Sequence, residues 1–305
     1  MTEELNLSAN GDVQLEEILA LARTIGWGAS DILRSYYRGE NSTGNLEIQE
    51  KQGGPVTAAD VAANHYILKE LQASLGVEHF GYLSEETYQF KTGAPVPHPW
   101  VWIIDPLDGT RDFIDKTGEY ALHIALTHEG SPVLAVVAWP EAEKLYYAIK
   151  GGGTFVESRD GTTRQLRVRE VRAIEDLTLV VSRTHRDGRF NELLQQLPCK
   201  NQHYVGSVGC KIATILEHKA DVYISLSGKS APKDWDMAAP ELIFTEAGGQ
   251  FTHMDGTPLK YNQGDVSQWG CLIASNGNSH EALCAHAQKI LTEVDRKPSV
   301  ADRME

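Results

Sequence analysis

The stretch that decides the fold is residues 100–113, WVWIIDPLDGTRDF. Its apolar start is typical of a short buried strand over residues 101–105. Pro106 then removes a backbone donor, so a regular strand cannot simply continue. Pro106 and Gly109 make the chain turn sharply, which can point Asp105 and Asp108 into one space. Two carboxylates held close together repel each other, so the stretch predicts a compensating cation.

The residues around this pair indicate which cation and which reaction. Carboxylate oxygens select Mg²⁺, Mn²⁺ or Ca²⁺ over zinc, and the carbonyl of Leu107 could supply a further oxygen. Gly109 and Thr110 begin a predicted helix, whose free backbone amides would bind phosphate oxygens. A metal site beside a phosphate site predicts metal-assisted phosphate hydrolysis. A purely structural turn is the alternative.

Three further segments carry carboxylates that could complete such a site. Asp60 opens a helix in GGPVTAAD, Glu85 and Glu86 are adjacent in GYLSEET, and Asp234 and Asp236 precede a helix in APKDWDMAAPE. Each also has a simpler interpretation. The aspartates suit helix capping or a first-turn charge, and the glutamate pair suits a solvated turn.

A different phosphatase design has to be compared with this one. Haloacid-dehalogenase phosphatases use D-x-D-G-T, in which the first aspartate is a covalent nucleophile. Here two residues separate Asp105 from Asp108, and the motif lies a third of the way along the chain, after two predicted helices. Both features argue against that design.

Composition excludes some function classes. The chain has 305 residues, 41% hydrophobic and 23% charged, with a net charge of −14. Such acidity argues against a general basic surface for nucleic acid and suits a soluble cytoplasmic protein. The sequence has no run of 18 apolar residues and no visible signal peptide, so it predicts no membrane span. The four cysteines are scattered, and we expect reduced thiols.

Hydrophobic spacing predicts the order of the elements. Residues 13–38 and 58–75 have helical periodicity, and Gly26-Trp27-Gly28 is expected to loosen the first helix. Largely antiparallel strands follow residue 100, and we expect helices to cover the sheet. Strands and helices then alternate from TLVVS (178–182) onward, which is typical of α/β architecture.

These patterns predict an α/β fold with an α+β N-terminal half and an α/β C-terminal half. A polar stretch near residues 156–172 suggests a domain boundary. We therefore expect an N-terminal domain over 1–158 with the metal and phosphate site, a C-terminal domain over 159–295 that contributes Asp236, and a disordered tail over 296–305.

Together the motifs resemble a known family. The order P-V-T-A-A-D, S-E-E-T, W-I-I-D-P-L-D-G-T and W-D-M-A-A-P-E…T-E-A-G-G is similar to the inositol monophosphatase superfamily, over residues 51–275. The resemblance implies a layered αβαβα sugar-phosphatase fold. It also implies hydrolysis of a phosphomonoester by a water activated by two or three Mg²⁺ ions, with Mn²⁺ as a substitute and Li⁺ as an inhibitor.

The resemblance also implies roles for individual residues. Glu85 would bind metal, Asp105 would bridge two ions and the Leu107 carbonyl would hold one of them. Asp108 and Asp236 would hold the other. Thr110, paired with Asp60, would orient and help deprotonate the attacking water, and the Gly109 and Thr110 amides would hold the phosphate.

Several details are similar to the 3'(2'),5'-bisphosphate nucleotidase (CysQ-type) branch, which hydrolyses 3'-phosphoadenosine 5'-phosphate. After D-G-T the sequence has a basic residue, an acid and Phe113, and residues 182–185 read S-R-T-H. Where inositol monophosphatases usually have a glutamate, the chain has Lys229, which suits a second phosphate, although a solvated loop lysine is the alternative. The predicted substrate contacts are Lys51, Arg111, Arg183, His185, Lys211 and Lys229.

Other functions stay open on the sequence alone. Lys51 lies in K-Q-G-G-P-V-T rather than the K-x-D-x-S-P-V-T of relatives, so the chain lacks the aspartate and serine of that pattern. An inositol monophosphatase or a fructose-1,6-bisphosphatase-like sugar phosphatase is the main alternative. A non-catalytic regulator on the same fold would be favoured by a missing carboxylate, and none is missing. A small phosphate ester is the expected partner, and a homodimer is expected only by analogy with the fold.

Overall fold

Helical layers and β-sheets alternate in this protein. The computed structural model describes residues 14–40, 48–51, 54–89, 93–171, 173–183, 186–199 and 201–296. The helices are α1 (Leu15–Tyr37), α2 (Ala58–Leu75), α3 (Thr110–Ile114), α4 (Gly188–Gln196), α5 (Val208–Leu216), α6 (Asp234–Glu246) and α7 (His280–Arg296). Short 3₁₀ turns cover Pro140–Ala142 and Ile174–Asp176.

The strands of the described chain form two sheets and a hairpin. The hairpin pairs β1 (Ile48–Lys51) with β2 (Gly54–Thr57). The larger sheet, in chain order, contains β3 (Phe80–Ser84), β4 (Trp100–Asp108), β5 (Ala121–His128), β6 (Ser131–Trp139), β7 (Lys144–Ile149), β8 (Gly153–Ser158) and β9 (Thr163–Leu166). The smaller sheet contains β10 (Thr178–Val181), β11 (Asn201–Tyr204), β12 (Val222–Leu226), β13 (Gly249–His253) and β14 (Cys271–Asn276).

The direction of the strands differs between the sheets. In the larger sheet β3 is parallel to β4, and every later neighbour is antiparallel. The smaller sheet has the order β11-β10-β12-β14-β13; β10 is parallel to β11 and β12, whereas β14 is antiparallel to β12 and β13. Antiparallel neighbours need only short turns, whereas parallel neighbours need crossovers, which α4 and α5 provide.

Three buried clusters hold the described layers together. One packs α1 and α2 on the larger sheet, where Leu33 and Leu71 join Trp102. A second lies between the two sheets and contains α5 and α6, with Ile212 and Leu242 among its members. A third packs α4 and α7 on the outer face of the smaller sheet. This αβαβα order confirms the predicted fold class.

The decisive stretch forms a bulged strand instead of ending at Asp105. Asp105 pairs with His123 and Asp108 pairs with Ala121, so β4 advances three residues while β5 advances two. An extra residue of this kind is a β-bulge. Residues three apart in a regular strand point to opposite faces, and the bulge brings Asp105 and Asp108 onto the same face. Leu107 accordingly packs with α1 and α2, as does Ile104.

The expected interruption of the first helix is wrong. α1 runs without a break from Leu15 to Tyr37. Its glycines serve close packing: a Cβ at Gly26 would lie 3.0 Å from a Val136 methyl group, and one at Gly28 would lie 2.2 Å from the Tyr66 hydroxyl. Tertiary contacts therefore outweigh the weak helix propensity of glycine.

Other expectations have mixed outcomes. The helix over residues 58–75 is confirmed. The two-domain division stays a prediction, although the larger sheet continues to Leu166, past the proposed boundary. The predicted tail lies outside the described residues except for Arg296. The four cysteines are buried free thiols, and none of the described helices is long and apolar enough to cross a membrane.

We predict that the layer formed by α1 and α2 contributes strongly to stability. Leu71 is fully buried against the larger sheet. Leu71→Ala should lower the free energy of unfolding by about 2–5 kcal/mol, because it removes apolar contacts and leaves a cavity. Denaturant unfolding measures this. Val77 is 59% exposed, so Val77→Ala, the control, should change stability by less than about 0.5 kcal/mol. Equal losses would contradict this packing.

Candidate active site

Asp108 is held by the segment that begins α5. Its Oδ2 accepts hydrogen bonds from the Ser207 hydroxyl at 2.5 Å and from the backbone N–H of Gly209 at 2.9 Å. Nε2 of His123 lies 3.2 Å from the same oxygen. Burial by itself would raise the pKa of Asp108, but His123, Ser207 and the nearby Lys211 lower it to about 2. Asp108 therefore keeps its negative charge.

Asp105 and Glu85 lie close together, and ionisation costs each of them more free energy than it costs Asp108. Asp105 is 1% exposed, and its Oδ1 accepts a hydrogen bond from the backbone N–H of Leu107 at 3.0 Å. Its burial and the negative charges of Glu85, Asp108 and Asp236 raise its pKa well above the ordinary value. Burial and neighbouring carboxylates, Asp236 foremost, likewise raise the pKa of Glu85. Ionised, these groups would be stabilised by a cation.

The two aspartates at the start of α6 have different surroundings. Asp234 is anchored by the Asn262 backbone N–H and the Gln268 side chain, each at 2.8 Å. Asp236 accepts a hydrogen bond from the backbone N–H of Lys233 at 2.6 Å, and its burial and the charge of Asp108 raise its pKa to about 6. Of the two, Asp236 is the aspartate on which Asp108 acts, and its binding of metal stays a prediction.

The donor set fits a hard divalent cation. Asp105, Asp108 and Asp236 each have one oxygen bound by a backbone amide or hydroxyl, which orients the carboxylate, and each influences the pKa of another. Oxygen ligands of this kind suit Mg²⁺ or Mn²⁺. Within the described ranges, no three His, Cys, Asp or Glu side chains are already arranged as a metal cage. The carboxylates would therefore have to draw together around an ion, which would offset their repulsion.

Asp60 connects α2 to the bulged strand. Its Oδ2 accepts hydrogen bonds from the backbone N–H of Thr57 at 2.7 Å and from the Thr57 hydroxyl at 2.5 Å, and together they form the capping box of α2. The Thr110 hydroxyl lies 3.3 Å from Oδ1 of Asp60 and 3.2 Å from the Leu107 carbonyl. Burial raises the pKa of Asp60 to about 6. Asp60 is therefore both a helix cap and the partner of Thr110.

Gly109 allows two parts of the chain to approach each other. Its φ is +89°, in the left-handed region that favours glycine. A Cβ there would lie 3.1 Å from Cβ of Ser207 and 3.2 Å from the carbonyl oxygen of Glu119. The turn before α3 can thus pack against the start of α5. Phosphate binding by the Gly109 and Thr110 amides stays a prediction.

The predicted substrate contacts have different surroundings, although Arg183 and Lys211 both lower the pKa of Glu119. Arg183 forms ion pairs with Asp112 at 3.0 Å and with Glu119, and it donates to the Tyr204 carbonyl. Lys211 is 4% exposed and donates to the Gly206 and Ser207 carbonyls. Arg111 and Lys229 are exposed, whereas the Lys51 side chain and His185 lie outside the described residues. Substrate binding by this set stays a prediction.

Sequence reasoning missed the residues that hold Asp108. Ser207, Gly209 and His123 lie far from D-P-L-D-G-T in sequence, and a lone histidine inside the strand YALHIALTH carries no local signal. The cap position of Ser207, which accepts from the Cys210 N–H, was the available signal.

Comparison with known sequences identifies relatives. The model of the inositol monophosphatase family matches residues 14–292. The 3'(2'),5'-bisphosphate nucleotidase CysQ of Salmonella typhimurium is 35% identical over 252 residues, which covers 81% of this chain and 93% of the relative. CysQ of Escherichia coli K12 is 33% identical over the same shares.

Comparison with solved structures agrees on the fold. The extragenic suppressor protein suhB of Bartonella henselae has a TM-score of 0.74 and 25% identity, with 90% of this chain and 99% of that chain covered. An IMPase of Thermotoga maritima also has a TM-score of 0.74, at 21% identity, with 91% and 99% covered.

The clustered carboxylates predict how stability depends on pH when a chelator keeps metal ions away from the protein. Asp60 and Asp236 have pKa values of about 6, and those of Glu85 and Asp105 are raised as well. In the unfolded chain these groups titrate near ~4. Between pH 8 and pH 6 the folded protein therefore binds more protons, so its free energy of unfolding should rise as the pH falls.

Denaturant unfolding in EDTA at pH 8, 7 and 6 measures this slope. Burial lowers the pKa of His280, which acts in the opposite direction, but the carboxyl groups outnumber it. Asp105→Asn removes one raised carboxyl group, so the variant should be more stable than the wild type at pH 8 and should show a shallower slope. A wild-type protein whose stability falls on acidification to pH 6 would contradict this electrostatic description.

Proposed function

The chain belongs to the inositol monophosphatase family, and we propose that it is a Mg²⁺-dependent phosphomonoesterase that converts 3'-phosphoadenosine 5'-phosphate to AMP and phosphate. The observation that carries the proposal is the interaction of Glu85, Asp105, Asp108 and Asp236, which come from three segments of the chain. Such a concentration of negative charge lowers the stability of a fold. Its presence therefore indicates a functional role.

In this proposal the carboxylates hold the metal ions. Asp105, Glu85, Asp108, Asp236 and the Leu107 carbonyl would supply the oxygen ligands, with Asp105 shared between the ions. When bound, Mg²⁺ lowers the pKa of a coordinated water and neutralises charge that develops on the phosphate. The amide and hydroxyl groups that orient Asp105, Asp108 and Asp236 preorganise these ligands.

Thr110 and Asp60 together accept the proton of the attacking water in this proposal. The Thr110 hydroxyl is placed between the Asp60 carboxylate and the Leu107 carbonyl. A threonine alone is a poor base, but a hydroxyl linked to a carboxylate can pass a proton to it. The raised pKa of Asp60, about 6, makes that carboxylate a better proton acceptor near neutral pH than an ordinary aspartate.

The nucleotide preference rests on the CysQ relatives and on two exposed cations. The relatives described above are named bisphosphate nucleotidases. A bisphosphorylated substrate brings a second phosphate, and the exposed Arg111 and Lys229 are candidates to bind it. Arg183 could join them only by giving up at least part of its pairing with Asp112 and Glu119.

An inositol or sugar monophosphatase is the second candidate. It is favoured by the structural similarity to proteins described as inositol monophosphatases or suhB. The acidic net charge of −14 fits either candidate, since both substrates would be recognised locally and through metal ions. A homodimer, a cytoplasmic location and inhibition by Li⁺ also remain predictions.

A substrate panel tests the assignment. Phosphate release is measured from 3'-phosphoadenosine 5'-phosphate, inositol 1-phosphate and fructose 1,6-bisphosphate at saturating Mg²⁺. We expect kcat/KM for the nucleotide to exceed the others by about tenfold or more, which corresponds to about 1.4 kcal/mol. A higher value for inositol 1-phosphate or for the sugar would transfer the assignment to that substrate.

Asp105→Asn is the matched control for the panel. It keeps the size of the side chain and removes its charge, so the fold should persist while turnover of every substrate falls by about 10²-fold or more. Retained turnover in this variant would contradict the metal mechanism for all three substrates.

A further inference from the structure

His123 contacts Asp108 on one side and the residue before Asp236 on the other. Its side chain is fully buried in the middle of β5. Nε2 lies 3.2 Å from Oδ2 of Asp108, and Nδ1 lies 3.2 Å from the carbonyl oxygen of Trp235. Trp235 immediately precedes Asp236. One imidazole ring therefore connects the Asp108 carboxylate of β4 with the backbone of the residue before Asp236 in α6.

The register of the larger sheet places His123 at this point. His123 pairs with Asp105, and the bulge that follows Asp105 displaces Asp108 so that its carboxylate approaches the imidazole. The backbone then closes around the ring, because a Cβ at Gly209 would lie 2.5 Å from Nε2 of His123. The N–H of Gly209 donates to the same Asp108 oxygen that His123 approaches.

These contacts assign separate tasks to the two oxygens of Asp108. Oδ2 is surrounded by the Ser207 hydroxyl, the Gly209 N–H and the His123 ring. These contacts hold the carboxylate in one rotation, so Oδ1 would be the oxygen offered to a metal ion. His123 also contacts the segment carrying Asp236, through the Trp235 carbonyl.

We propose that His123 is a positioning residue for the metal site, which sets the separation of the Asp108 and Asp236 carboxylates. The proposal rests on the proposed function only in that these carboxylates bind a divalent cation. Groups behind metal ligands typically change metal affinity about 10–100-fold when they are removed. A residue that merely filled the core would instead affect stability and leave metal affinity unchanged.

Mn²⁺ binding to the protein without substrate tests the proposal, by calorimetry or by electron paramagnetic resonance. His123→Leu fills the space and loses both polar contacts, so its dissociation constant should rise about 10–100-fold. His123→Asn can reach the Trp235 carbonyl but not Asp108, whereas His123→Gln places its amide near the position of Nε2. We therefore expect the affinity order wild type, then Gln, then Asn and Leu.

His280 provides the matched control. It is also a buried histidine, 3% exposed, and it contacts Thr252 and Ser275 beside the smaller sheet. His280→Leu should leave Mn²⁺ affinity at the wild-type value. Thermal unfolding of each variant shows whether it is folded, and the Asn and Gln pair decides the question if His123→Leu does not fold.

The outcomes separate this proposal from the proposed function. If the wild type binds Mn²⁺ and His123→Asn binds it equally well, the role of His123 is overturned while the metal site stands. The same holds if His280→Leu weakens binding as much as His123→Asn does. If the wild type itself binds no Mn²⁺, the proposed function fails, and the role of His123 fails with it.

Discussion

The structure depends on the binding of the Asp108 carboxylate by the segment that begins α5. The Ser207 hydroxyl and the Gly209 N–H both donate to its Oδ2. These bonds connect the bulged strand of the larger sheet to a helix that packs between the two sheets. They are charge-assisted hydrogen bonds in a buried setting, which are stronger than neutral ones. Because Asp108 is the last residue of β4, the position of the following turn and of α3 is set by the same contacts.

Glycines make that close contact sterically possible. At Gly206 a Cβ would lie 2.4 Å from the Asp112 carboxyl carbon, and at Gly209 it would overlap with His123. Gly109, which has a positive φ, allows the turn after β4 to lie against the start of α5. Two segments nearly a hundred residues apart therefore meet backbone to backbone. This proximity lets short aspartate side chains from separate elements act on one another.

The second constraint is electrostatic. Burial raises the pKa values of Asp105, Glu85 and Asp236, and neighbouring carboxylates raise them further: Glu85 and Asp108 act on Asp105, Asp236 acts on Glu85, and Asp108 acts on Asp236. Asp108 is the exception, because hydroxyl, amide, imidazole and ammonium groups keep its pKa at about 2. The site thus combines one carboxylate that is firmly charged with several whose charge is costly without a cation. This division is what a site assembled around divalent cations requires.

The sequence predicted the parts of this site that depend on residues close together in the chain. The spacing of Asp105 and Asp108, the intervening Pro106 and the glycine of D-P-L-D-G-T indicated a turn that joins two carboxylates. The layered fold was implied by the family resemblance of the motifs, and the helix over residues 58–75 followed from its periodicity. These signals each lie within one short segment.

What the sequence did not predict depends on contacts between distant segments. The bulge depends on how β4 pairs with β5. The hydrogen bonds to Asp108 depend on where α5 begins. The glycines of α1 suggested a loosened helix because their packing partners, Val136 and Tyr66, are invisible to local periodicity. Arg183 was assigned to substrate from a four-residue motif, whereas in the fold it pairs with Asp112 and Glu119.

The most direct test of the central claim is the position of Mn²⁺, located by anomalous X-ray scattering from crystals grown with that ion. We expect an anomalous peak about 2.0–2.3 Å from carboxylate oxygens of Asp105 and Asp108, with Asp236 or Glu85 drawn in as a further ligand. An ordered Mn²⁺ that binds elsewhere, with no peak between Asp105 and Asp108 in crystals of active enzyme, would contradict the account.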